Sequence, residues 1–218
     1  MLKVLDTTNS GSLNQTFRRK RFKLFLETIK TMNKPVKILD IGGTYNYWKN
    51  MNINFNDVHI VLLNLDKQVV DHPSFSSVIG DATNLKEYGD NSFDIVYSNS
   101  VLEHLFTADN QNKMANEVRR VGKIYMIQTP NKWFPIEPHY LFPFFQFFPK
   151  KVKIYLTYKF ALGNYRKASS LAHALRRVEE VKLLSYKELK RLFPDGKIWK
   201  EKIFFFSKSF IAHNNINY

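Results

Sequence analysis

The 218-residue chain contains no cysteine. That absence excludes a disulfide framework, a thiol nucleophile, cysteine-ligated zinc and iron–sulfur clusters. No run of 18 or more apolar residues occurs, so a membrane-spanning helix is not expected. Residues Met1–Gly11 lack the apolar stretch of a secretory signal, and a soluble, cytoplasmic protein is the expectation. Acidic residues are scarce, 19 Asp+Glu against 33 Lys+Arg, which leaves a net charge of +14.

What is present is the composition of a globular chain, 44% hydrophobic and 24% charged, long enough for one domain with an appendage. Its charge is uneven. Residues 1–50 hold 10 basic and 3 acidic side chains, residues 51–130 hold 6 and 10, and residues 131–218 hold 17 and 6. The basic ends suit phosphate-bearing ligands, nucleic acid, an anionic membrane surface or simple solvation.

Four segments follow from the pattern. Residues 1–34 comprise a small, polar and loosely attached start, then an amphipathic helix from Asn14 to Met32 with Phe17, Phe22, Phe25, Leu26 and Ile29 at helical spacing. Residues 35–130 alternate apolar strands with turns and helices: strands at 36–41, 58–66, 77–79, 93–98 and 123–128, helices from Val101 and over Asp109–Val121. Residues 131–184 open with WFPIEPHYLFPFFQFFP, where prolines at 135, 138, 143 and 149 forbid a regular helix or central strand. Helices are expected behind it at 150–162 and 168–178. Residues 185–218 hold a Ser185–Glu188 capping box, a helix, and two strands, 198–206 and 208–213, joined around Ser207. The fold class is therefore α/β: a Rossmann-like, seven-stranded, mostly parallel sheet with helices on both faces and an antiparallel C-terminal hairpin.

Candidate binding residues sit where strands end, the place open α/β sheets bind ligands. Asp40, Gly42 and Gly43 follow the first strand, and glycine there lets backbone approach a ligand. Asn64 and Asp66 close the second, Gly80, Asp81 and Ala82 the third, and Ser98 and Asn99 the fourth. Asn64 and Asp66 share a strand face, so either can reach a ribose, with Asp66 favoured as the ionised acceptor.

The series ILDIGG (38–43), NLD (64–66), GDA (80–82) and NSFDIVYSNSVLEHL (91–105) resembles the class I S-adenosylmethionine-dependent methyltransferases. The resemblance covers residues 36–130 well and implies S-adenosylmethionine as cofactor. It places Asp40, Gly42 and Gly43 by the amino-acid part, Asn64 or Asp66 by the ribose, Asp81 and Ala82 by the adenine, and Ser98 and Asn99 by the carboxylate and sulfonium. Thr44 and Asn46 stand where the family loop has further glycines. No metal site is expected.

The sulfonium is already an activated donor, so the protein has mainly to align the partners and exclude water. An acceptor hydroxyl needs a base, and His139 with Glu137, just past the fifth strand, are the candidates, with His104 assigned to packing or capping. The segment 133–149, rich in aromatics and followed by Lys150, Lys151 and Lys153, reads as a core element, a lid or a membrane-interface patch. It resembles segments of methyltransferases in bacterial surface-polysaccharide pathways. The expected acceptor is thus a small molecule or saccharide, a lipid-linked one included, methylated at oxygen, with peripheral contact at the inner membrane face as an additional reading. RNA ranks lower, because the chain lacks both the thiol for pyrimidine carbon-5 chemistry and an appended RNA-binding module. A catalytically inactive binding protein is the third reading, resting on the altered glycine loop.

Overall fold

The computed structural model describes residues 13–51 and 53–214. The expected loose attachment of the first residues lies outside the described residues. Helix α1 (Leu13–Lys30) leads to β1 (Val36–Ile41), a short helix α2 (Tyr45–Lys49), β2 (Val58–Asn64), β3 (Phe75–Ile79) and β4 (Phe93–Asn99). Then come α3 (Ala108–Val121), β5 (Gly122–Pro130), a ribbon of β6 (Ile136–Glu137) and β7 (Phe142–Pro143), α4 (Lys150–Lys159), α5 (Leu171–Glu180), α6 (Tyr186–Leu192), β8 (Lys197–Ile203) and β9 (Phe206–His213). Seven strands form one sheet in the order β3-β2-β1-β4-β5-β9-β8, parallel up to β5, with β9 antiparallel to both its neighbours.

The strands are apolar along most of their length because both faces are covered. On one face Leu39, Ile41, Val61, Leu63 and Val96 pack against Met114, Val118 and Leu189 of α3 and α6. On the other, Ile38, Ile60, Leu62 and Ile95 pack against Phe22, Phe25 and Ile29 of α1 and Trp48 of α2. Phe25 meets Trp48 at 5.5 Å and Tyr97 at 5.2 Å between ring centroids, so α1 is docked by an aromatic cluster. The strand order reverses between β1 and β4, which opens a crevice at their carboxyl ends.

Several boundaries differ from expectation. The helix expected from Val101 is a single 3-10 turn, Leu102–His104, and α2 was not foreseen. The proline-rich segment does pair, but only as the two-residue ribbon β6–β7. The capping box at Ser185 is formed as expected, its hydroxyl accepting from Glu188 N and the Glu188 carboxylate from Ser185 N. The last hairpin turns at Phe204–Phe205, not at Ser207: Ile203 pairs with Phe206 and Lys202 with Ser207.

Candidate active site

Gly42 anchors the loop after β1. Its N–H donates to Leu63 O at 2.8 Å and its φ is +76°, a left-handed conformation that costs other residues. A Cβ there would lie 2.3 Å from Val101 Cγ2, so the loop is closed against the segment after β4. At Gly43 a Cβ would fall 1.6 Å from Asp40 Oδ2, because the Asp40 carboxylate lies directly beneath the loop. The Thr44 substitution in the glycine pattern has a local cause: its hydroxyl caps α2 by accepting from Tyr47 N at 3.2 Å.

Asp40 is 1% exposed and accepts from Trp48 Nε1 at 2.6 Å. Burial raises its pKa to about 7, and the Trp48 hydrogen bond opposes that rise. Asn64 donates from Nδ2 to Gly43 O at 2.9 Å, which spends the amide on the loop. Asp66 and Asp81 are both exposed on the rim of the cleft between β1, β2 and β3, and Asp81 Oδ1 accepts from Thr83 N. Ser98 is fully buried and donates to Ile41 O at 3.1 Å, an interstrand tie. Asn99 sits at the crevice, and its Oδ1 is buried with no hydrogen-bond partner among the described residues.

Three spaces converge on these residues. One, of about 780 Å³ and open to solvent, has an apolar floor of Ile41, Leu63, Ala82 and Val101 with Asp66 and Asp81 at its edge. A second, of about 1130 Å³, runs past Gly42, Gly43, Thr44 and Asn99 to Arg18 and Arg19 of α1. Gly42 belongs to both, so they are two lobes of one cleft. The third, about 660 Å³, adjoins at Asn99 and Arg18 and is walled by Arg21, Gln128, Phe134, Ile136, Leu141 and Lys208.

The third space is basic. Arg21, 5% exposed, pairs with buried Glu201 at 2.6 Å, and Ser209 Oγ donates to the same carboxylate. Burial lowers the Lys208 ammonium to about 8, with Glu201 pulling the other way and Arg21 and Arg18 adding to the fall. One carboxylate therefore faces three cations. Arg18, Arg21, Gln128 and Lys208 were missed by sequence reasoning. A signal existed for the arginines: Arg18 lies four residues before Phe22 and Arg21 four before Phe25, which puts charge on the apolar stripe of α1.

Between the lobes and the ribbon stands a second cluster. Glu137, 2% exposed, accepts from His139 N, Tyr140 N and His139 Nδ1 at 2.8, 2.7 and 2.7 Å. His139 Nε2 lies 3.2 Å from His104 Nε2. Burial works to lower the His139 pKa, but Glu137, Glu103 and Glu180 outweigh it and the net shift is upward. Burial, then His139, lowers His104 to about 4, and burial raises Glu103 to about 6. Glu103 accepts from Thr129 Oγ1 at 2.9 Å, while its other oxygen is buried with no side-chain partner among the described residues. Glu103, His104 and His139 also offer ligand atoms within 4.8 Å of one another, the arrangement a metal ion could use.

Residues 40–124 match the methyltransferase-domain family model. That stretch, about two fifths of the chain, carries a methyltransferase domain. The fold of this chain recurs in a SAM-dependent methyltransferase from Methanosarcina mazei (13% identity, 87% of this chain and 95% of that one, TM-score 0.50). It recurs in phosphoethanolamine N-methyltransferase 2 of Haemonchus contortus with S-adenosyl-L-methionine (13%, 87% and 39%, TM-score 0.54) and in the YcgJ protein of Bacillus subtilis (16%, 84% and 71%, TM-score 0.51). The chain thus spans well under half the length of the Haemonchus enzyme. No curated protein matches the sequence.

The residues fit S-adenosylmethionine as cofactor. The apolar floor beside Asp66 and Asp81 suits an adenosine, whose hydroxyls and amino group are donors for those carboxylates. The side-chain-free surface at Gly42 and Gly43 leaves room for the amino-acid part, with the unpartnered Asn99 Oδ1 facing the same crevice.

Proposed function

We propose that this methyltransferase transfers a methyl group to a hydroxyl of a small-molecule or saccharide acceptor that carries a negative charge. When bound, S-adenosylmethionine supplies an activated sulfonium methyl. The residues do the rest. Asp66 and Asp81 hold the adenosine, the Gly42–Gly43 backbone and Asn99 orient the amino-acid part, and Phe134, Ile136 and Leu141 exclude water from the adjoining space.

The observation that carries the oxygen-directed reading is the Glu137–His139 pair. Glu137 fixes the ring by accepting from Nδ1, which leaves Nε2 as the proton acceptor, and Glu137 stabilises the imidazolium once formed. His104 lines the cofactor cleft and Pro138 the third space, so His139 stands between the two. A hydroxyl entering there would replace His104 as the partner of Nε2. The charge requirement comes from Arg18, Arg21 and Lys208 facing the single carboxylate of Glu201. S-adenosylmethionine is itself a net cation, so the balancing anion has to arrive with the acceptor.

Calorimetric titration with S-adenosylhomocysteine tests the foundation. Wild type is expected to bind at micromolar levels, and Asp66→Ala, an exposed substitution that spares the fold, to bind roughly tenfold more weakly. Folded wild type that takes up neither S-adenosylhomocysteine nor S-adenosylmethionine would return the chain to the binding-protein reading.

A further inference from the structure

The β8–β9 hairpin ends in three consecutive phenylalanines. Phe204, Phe205 and Phe206 are 90%, 96% and 56% exposed, so none is consumed by the core. The two-residue turn holds Phe204 at φ +51°, where glycine is favoured and an aromatic side chain adds strain. Fold stability does not account for this choice of residues, since all three rings are exposed.

A second observation widens the patch. Asn131 donates from Nδ2 to Ser207 O at 2.7 Å and from its backbone N to Lys208 O at 3.0 Å, which ties the following segment to the base of the hairpin. That segment presents Trp133 and Phe147, stacked at 5.4 Å and also exposed. Lys132 lies over the Trp133 ring, and Lys200 and Lys202 are exposed on β8 toward the tip. The one acidic residue of the hairpin, Glu201, is buried against Arg21.

We propose that this hairpin tip is a membrane-docking element, seating its phenylalanine rings at the interface of an anionic bilayer while the surrounding lysines meet lipid phosphates. Aromatic rings favour the membrane–water interface, and each nearby lysine adds electrostatic attraction to anionic lipid. A second copy of the chain fits less well. β8 is the sheet edge, and its exposed lysines would crowd like charge together in an edge-to-edge pair. The proposal stands on the hairpin and does not depend on the reaction. It does place the acceptor space near the bilayer, because Lys208 and Ser209 of β9 line that space.

The test is co-sedimentation of the full chain with phosphatidylcholine vesicles and with vesicles containing phosphatidylglycerol, at low and high salt. Wild type is expected to sediment with the anionic vesicles and to be released by salt. The double variant Phe204→Gly/Phe205→Asn installs residues that suit the turn, so it should fold at least as well and bind S-adenosylhomocysteine unchanged. Its vesicle binding should fall by roughly tenfold or more. Wild type remaining in the supernatant, or the double variant sedimenting as wild type does, would overturn the proposal. So would a concentration-dependent dimer in light scattering that the double variant abolishes while neither protein binds vesicles.

Discussion

At the scale of single residues, Asp40 shows how a strand-end carboxylate can be diverted from its expected task. Sequence places it by the cofactor's amino-acid part, and it does lie under that loop, but its oxygen is taken by the Trp48 indole. Burial with no cation in direct contact raises its pKa to about 7. The protonated form is therefore favoured by folding: Asp40 stabilises the fold fully below its unfolded pKa near 4, and that contribution is lost as pH rises through about 7. Asp40→Asn, which keeps an acceptor for Trp48, should gain stability relative to wild type at pH 8 and gain less at pH 5. Urea unfolding at both pH values checks this, and parallel pH profiles for the two proteins would refute it. Asn64 was diverted in the same way, its amide holding Gly43 O, which leaves Asp66 as the exposed acceptor. Neither diversion was legible, because each depends on the side chain across the loop and not on local spacing.

At the scale of elements, most of the sheet was legible because its strands are buried on both faces and read as uninterrupted apolar runs. The fourth strand and α3 fell within a residue or two of expectation for that reason. Errors gathered where pattern is weak. Helix α2 spans five residues, too short for a periodic signal, and the C-terminal turn was displaced because phenylalanine is not a turn residue by propensity. The glycine loop is the element whose sequence departs most from the family, yet its key position is structural in an ordinary sense. Gly42→Ala meets both a left-handed φ and Val101, and should cost about 1–3 kcal/mol and weaken S-adenosylhomocysteine binding. Gly89→Ala, where a Cβ meets nothing within 4 Å, is the control and should stay within about 0.5 kcal/mol of wild type. Denaturation midpoints of the two variants decide the matter, and equal costs would refute the loop argument.

For the whole molecule, the excess of positive charge at both ends of the sequence acquires a location. The fold brings α1 and β9 together although they are about as far apart in sequence as the chain allows, and Arg18, Arg21 and Lys208 converge on one space. Sequence showed that the two ends are basic. That they meet is a consequence of β9 inserting beside β5, a long-range pairing with no local trace. An anionic aromatic probe, phenyl phosphate, should bind this space at least tenfold more tightly than phenol, and Lys208→Met should remove most of that preference. Because burial has lowered Lys208 to about 8, the affinity should also decline as pH rises past that value and the ammonium loses its proton. Calorimetry with both probes, at pH 7 and pH 9, measures it, and equal affinities for phenol and phenyl phosphate would remove the case for an anionic acceptor. Among the described residues no helix is long and apolar enough to cross a membrane.

Asn99 and Arg18 border both the cofactor lobe and the acceptor space. Two ligands that share a wall cannot be thermodynamically independent. Whatever rotation of the Asn99 amide satisfies its orphaned oxygen for the first arrival is inherited by the second. The resulting change in affinity is reciprocal and belongs to the pair. A side chain of four heavy atoms at the tip of β4 thus couples the two spaces.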